Sequence, residues 1–281
     1  MTLLVAVNAF RRGTGATHVA ANLAALLAQA GQRVGLIDGD FLAPSQHFLL
    51  NVMPDQMHGS LHDYLLGYAD LQAVTIDVSI SGAAGVMAEP KGAESGAPQR
   101  APGSRPLYFV PSTADATFSE RRPLTDGDLD RLGGGIQAWA DRLALDILIV
   151  DTPAGIDKET LFATAVCDFL LVVLTLDQRE VQGSSLMIDL ARKLMVPQVG
   201  VVVNKAPVGY SRQSVRRQIA EGYGCDVAAI LPYADEIAAL ESRSLFACRY
   251  PDHPATWALR QLADALRTTT QQVSEQQVEP Q

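Results

Sequence analysis

The chain has 281 residues, 48% of them hydrophobic, and a formal net charge of −9. This length and apolar content suit one α/β domain with a sizeable core. No apolar run approaches the ~20 residues a membrane-spanning helix needs, and the acidity argues against non-specific binding to nucleic acid. The cysteines, Cys167, Cys225 and Cys248, are widely spaced and form no CxxC pair. They read as buried thiols of a protein in a reducing cytoplasm.

In chain order, the opening "MTLLVAVNAF" has no basic segment before its apolar run and no small-residue cleavage site, so 2–9 reads as a buried strand rather than a secretion signal. Helical periodicity follows over 17–30. Further strands are predicted at 33–38, 106–112, 145–152, 168–175, 198–205 and 225–233, and helices at 180–195, 211–223 and 254–267. Several strands are continuously apolar, as expected where helices cover both faces of a parallel sheet. The alternation predicts a single doubly wound, mostly parallel sheet. Residues 82–106 are rich in Gly, Ala and Pro and lack apolar periodicity. They read as a mobile surface loop within one domain spanning 1–267. A disordered polar tail is expected at 268–281. Leu259, Leu262 and Leu266 are spaced for core packing.

The chemistry-bearing stretch is "RRGTGAT", residues 11–17, between the first strand and its helix. Glycines at such positions let successive backbone N–H groups turn into one concavity, and the helix N-terminus adds its positive dipole end. In a phosphate-binding loop a lysine then reaches the terminal phosphates and a hydroxyl binds magnesium. Here Ala16 stands at the lysine position, Phe10 replaces the first glycine and Thr17 supplies the hydroxyl. Alone, Gly13 and Gly15 fit a tight strand–helix turn equally well. Three other strand ends add weight: "LIDGD" with Asp38 and Asp40, "LIVDTPAG" with Asp151, and "VVVNK" with Asn204. Ligands of open α/β sheets sit beyond the carboxyl ends of the strands, so these groups converge on one rim.

Taken together, these motifs resemble the MinD/ParA-type deviant Walker ATPases over nearly the whole ordered chain. The family's loop reads KGGxGK[ST]. Arg11 matches its signature lysine, Arg12 a glycine, Ala16 the Walker lysine and Thr17 the magnesium-binding hydroxyl. The resemblance implies an adenine-nucleotide site formed by Arg11, Arg12, Gly13, Thr14, Gly15, Ala16, Thr17, His18, Asn204 and Pro232, with Asn204 reading the adenine edge. It implies magnesium bound through Thr17, Asp38 and Asp151, and Asp40 orienting the attacking water. Residues 231–266 resemble the family's C-terminal portion, where a loop and helix flank the base.

A charge-assisted hydrogen bond contributes about 1.5–3 kcal/mol, so the missing lysine weakens binding by about 10- to 150-fold if nothing replaces it. Arg11 and Arg12 lie beside the loop, and arginine grips phosphate oxygens bidentately. Hydrolysis is more exposed, because phosphoryl transfer depends on positive charge at the transition state. The resemblance therefore implies ATP or ADP with Mg2+, slow or absent hydrolysis, a homodimer in which Arg11 crosses to the partner's phosphates, and a switch or scaffold role toward an unidentified protein cargo or adaptor. The alternatives are a nucleotide-independent structural partner, or a conventional ATPase whose Ala16 was introduced by engineering. Residues 266–281 have no apolar face, so no membrane-targeting helix is seen. Arg212, Arg216 and Arg217 can share a helix face, but on an acidic protein such a stripe reads as solvated, and DNA binding is not expected.

Overall fold

The computed structural model describes residues 1–78, 105–113, 125–207 and 209–276. The predicted strands form as β1 (Leu3–Asn8), β2 (Val34–Asp38), β4 (Leu107–Val110), β5 (Ile147–Asp151), β6 (Phe169–Leu174), β7 (Gln198–Ala206) and β8 (Asp226–Pro232). A two-residue strand that the sequence did not announce, β3 (Ile76–Asp77), completes a sheet of eight in the order β3-β4-β2-β5-β1-β6-β7-β8. Every pairing is parallel except β3 with β4 at one edge.

The continuous apolar runs are explained by burial on both faces. Val5, Val7, Ile147, Ile149, Leu171 and Val173 pack into one core layer. Their chain neighbours Ala6, Leu148, Val150, Leu170 and Val172 pack into the other. Successive strand side chains point to opposite faces, so both sets must be apolar. The first layer is closed by α1 (Ala16–Gln29), α9 (Phe246–Arg249) and α10 (Pro254–Gln276), with Leu259, Leu262 and Leu266 buried as expected. The second is closed by α3 (Leu61–Leu65), α4 (Asp126–Leu143), α5 (Lys158–Val166), α6 (Gln178–Lys193) and α7 (Arg212–Tyr223). Two short helices, α2 (Gln46–Leu49) and α8 (Asp235–Ala239), lie near the rim.

Helix α10 continues to Gln276, well past residue 267, so the expected tail is largely a helical extension. Its Thr268, Thr269 and Thr270 hydroxyls donate to carbonyls one turn back, which lets a polar sequence stay helical. Of the segment 82–106, all but the last two residues lie outside the described residues.

Candidate nucleotide site

Strand β1 lies centrally, with β5 on one side and β6 on the other. The chain crosses over β1 between these two strands, which makes the carboxyl end of β1 a topological switch point. The loop leaving β1 opens there onto a cleft of about 650 Å³, lined by residues that include Arg11, Arg12, Gly13, Thr14, Gly15, Ala16, Thr17, His18, Asp40, Asn204 and Pro232. Of the predicted site residues, only Asp38 and Asp151 lie beneath the cleft, fully buried.

The loop keeps the backbone of a phosphate cradle. Gly13 and Gly15 have φ of +85° and +96°, in the left-handed region. Gly15 is the N-cap of α1, whose first turn carries no acidic residue and no side-chain cap. Its N–H groups therefore face the cleft with the helix dipole behind them. A Cβ on Gly15 would run into the Asn204 amide.

That amide is itself part of the loop's support. Asn204 Nδ2 donates to Thr14 O at 2.6 Å, and Asn204 Oδ1 accepts from the Lys205 N–H at 2.9 Å. Lys205 Nζ donates to Gly13 O at 2.6 Å. The end of β7 thus grips two successive carbonyls of the loop, so its N–H groups turn the other way. Lys205 lines the cleft and was missed in the sequence, because its reach to Gly13 depends on β7 folding beside β6. The cation lowers the pKa of nearby His18, although burial of the imidazole is the larger cause.

Both arginines are engaged by acids. Arg11 Nε lies 3.7 Å from Glu180 Oε1 on α6, and Arg12 Nη1 lies 3.5 Å from Asp40 Oδ2. Phe10 packs against Gly183 of α6, where a Cβ would overlap its ring. The residue that replaces the first glycine is thereby accommodated by a glycine on a facing helix.

The acids divide into two roles. Asp38 accepts from the Asp40 N–H at 3.2 Å and from the Ser45 and Gln46 N–H groups, each at 3.1 Å. Its carboxylate ties down the loop after β2 instead of facing the cleft. Burial and the neighbouring Asp151 push its pKa well up, against the N–H bonds. Asp151 pairs in register with Asp38 across β2 and β5. It is pushed up to about 7, chiefly by burial, while the Gln46 amide bonded to it and the nearby Thr17 hydroxyl act in the opposite direction. Its Oδ1 is buried without a donor. A buried carboxyl oxygen lacking a donor, beside a threonine hydroxyl at a phosphate cradle, fits a hydrated divalent cation.

Among the arginines considered for DNA, Arg216 donates to Val227 O at 2.8 Å, and Arg217 lies 3.9 Å from Glu221 at the exposed surface. Cys167 and Cys248 are buried as expected, but Cys225 is only half-buried.

The description of the CobQ/CobB/MinD/ParA nucleotide binding domain (CbiA) matches residues 5–246. The chain belongs to this family. An uncharacterized ATP-binding protein of Methanocaldococcus jannaschii is 26% identical over 268 residues, covering 95% of this chain and 88% of the relative. Two solved structures share the fold of this MinD/ParA-type chain. The septum site-determining protein MinD complexed with Mg-ADP, from Pyrococcus horikoshii, superposes with a TM-score of 0.73 at 18% identity, covering 95% of this chain and 96% of that one. The MinC:MinD cell division complex of Aquifex aeolicus gives 0.71 at 17% identity, with the same coverage of 95% and 96%. No helix among the described residues is long and apolar enough to cross a membrane.

Proposed function

We propose that this MinD/ParA-type protein binds ATP or ADP with Mg2+ as a cytoplasmic, dimeric switch or scaffold for a protein partner, and that it hydrolyses ATP slowly or not at all. The observation that carries the reading is the left-handed glycine pair at 13 and 15, held open beneath the cleft by Asn204 and Lys205. The backbone of residues 13–17 cradles the phosphates, with Arg11, Arg12 and His18 at its margins. Pro232 lies at the base end with Tyr233 and Ile237. The Asn204 amide is already shared between Thr14 and Lys205, so it acts on the base side mainly by fixing the loop. Thr17 and Asp151 would hold magnesium, with Asp38 contributing charge from behind. Magnesium, when bound, offsets phosphate charge.

Slow turnover follows from where the cations sit. Position 16 has no charge, and Arg11 and Arg12 are each drawn toward a carboxylate. Arg12 also occupies Asp40, the group that would orient water, so neither the acid nor the arginine is free for phosphoryl transfer. The same pairings favour the second reading, a structural partner that needs no nucleotide. Partnership with a second protein has a parallel in the MinD found in complex with MinC. Homodimerisation would require Arg11 to leave Glu180 and reach across to the second copy.

Calorimetry decides between these readings. MgATP binding is expected in the micromolar range, reduced about tenfold or more in Thr17→Ala, which loses the hydroxyl proposed to hold magnesium. Ala16→Lys is expected to raise single-turnover hydrolysis by about tenfold or more. Absence of binding at millimolar MgATP would favour the structural partner.

A further inference from the structure

We infer that Gln46 is a positioning residue for magnesium, acting through the water shell of the ion rather than touching it directly; the inference rests on the nucleotide reading above. Gln46 opens α2 and is fully buried. Its Nε2 donates to Asp151 Oδ2 at 2.9 Å and to Thr17 O at 3.2 Å, while its backbone N–H is held by Asp38. One amide thus joins the loop after β2, the carboxylate ending β5 and the first turn of α1.

The orientation of that amide is dictated by its neighbours. Both groups facing the terminal nitrogen are acceptors, a carboxylate and a carbonyl, so the opposite flip would set oxygen against oxygen. Gln46 Oε1 is therefore left on the far side, buried and without a donor, and Asp151 Oδ1 is in the same condition. Two side chains joined by a hydrogen bond, one of them also bonded to the first turn of α1, thus each hold an unused buried acceptor. A buried acceptor without a donor is destabilising, and a pair of them suits the hydrogens of water bound to a divalent cation. Outer-shell groups of this kind orient the ligands and change metal affinity by about 10- to 100-fold when removed. Among the described residues, the Gln46 side chain bonds both Asp151 and the first turn of α1 while its backbone is tied to Asp38, which makes Gln46 the link between arrival of the ion and the position of the loop carrying Asp40.

The test is ATP affinity measured by calorimetry, with magnesium and with EDTA, on the unaltered chain, on Gln46→Met and on Gln46→Glu. Gln46→Met keeps the buried volume and removes both polar atoms. It is expected to lose about tenfold or more of the magnesium-dependent gain in affinity while leaving affinity in EDTA nearly unchanged. Gln46→Glu keeps an acceptor and places a second carboxylate against Asp151. It is expected to melt lower in EDTA and to be raised by magnesium chloride alone more than the unaltered chain is, a response that a packing role would not produce. A magnesium-dependent gain that survives in Gln46→Met, or a Gln46→Glu chain indifferent to magnesium, overturns the role of Gln46 and leaves the nucleotide reading standing. Absence of ATP binding by the unaltered chain in either condition overturns both.

Discussion

The loop after β1, residues 10–17, keeps its backbone and has changed its side chains; the loop after β2, residues 38–46, keeps its acids and uses both of them to fix its backbone. In the first loop the positive φ of Gly13 and Gly15 survives while the cation at position 16 is gone. In the second, Asp38 spends its carboxylate on three N–H groups, while Asp40 accepts from the Leu42 and Ala43 N–H groups with one oxygen and faces Arg12 with the other. Cradling a phosphate needs backbone geometry, whereas transferring one needs charge in the right place. The contrast therefore separates holding a nucleotide from consuming it, and the two loops can be challenged independently.

The largest effect is expected from Asp38→Ala. It leaves the N–H groups of Asp40, Ser45 and Gln46 without their shared acceptor. At about 1 kcal/mol or more for each orphaned donor, the loss is about 3 kcal/mol, read from the denaturant midpoint. Retention of full stability would show that relief of the Asp38–Asp151 repulsion outweighs the lost bonds.

Asp151 gives the next effect, as a slope with pH. Its folded pKa, about 7, lies above the ordinary 3.8. Between these values the folded state holds the proton more tightly than the unfolded chain, so stability in EDTA falls as pH rises through that window. One such group contributes at most about 1.4 kcal/mol per pH unit. Asp151→Asn is expected to flatten the dependence of melting temperature on pH, and an unchanged slope would assign it to other groups.

The mildest change in stability, about 1–2 kcal/mol, is expected from Gly15→Ala, which adds left-handed strain and a collision with Asn204. Its effect on binding is larger, since the cradle itself is distorted. A variant that still binds MgATP normally by calorimetry would mean that the loop does not hold the phosphates.

Much of this arrangement was legible in the sequence because buried parallel strands advertise themselves as unbroken apolar runs, and because their carboxyl ends carried Asp38, Asp151 and Asn204. Helix α4 was missed. Its run Gly133–Gly134–Gly135 obscures helical periodicity, although Thr125 and Asp128 form a capping box at its start and Leu132, Ile136 and Trp139 mark its buried side. Those glycines answer to neighbours: Phe162 lies against Gly133, and Tyr64 takes the space beside Gly135. Strand β3 was too short to show alternation. Gln46 and Lys205 escaped notice for a different reason, since an amide and an ammonium in surface-like stretches acquire meaning only when distant strands bring acceptors to them. The same holds for the hydrogen bonds of Asp38, a residue which the resemblance placed at the magnesium and whose carboxylate also holds the loop behind it.

The fit of Phe10 into the notch left by Gly183 also bears on how this loop can change. Putting glycine back at position 10 alone would leave a ring-sized void against α6, and enlarging residue 183 alone would drive a side chain into the ring. Each intermediate is worse packed than either end state, so the two positions are entrenched together. A route back to a conventional loop has to pass through the helix as well, and grafting a restored motif onto this scaffold calls for replacing both surfaces at once.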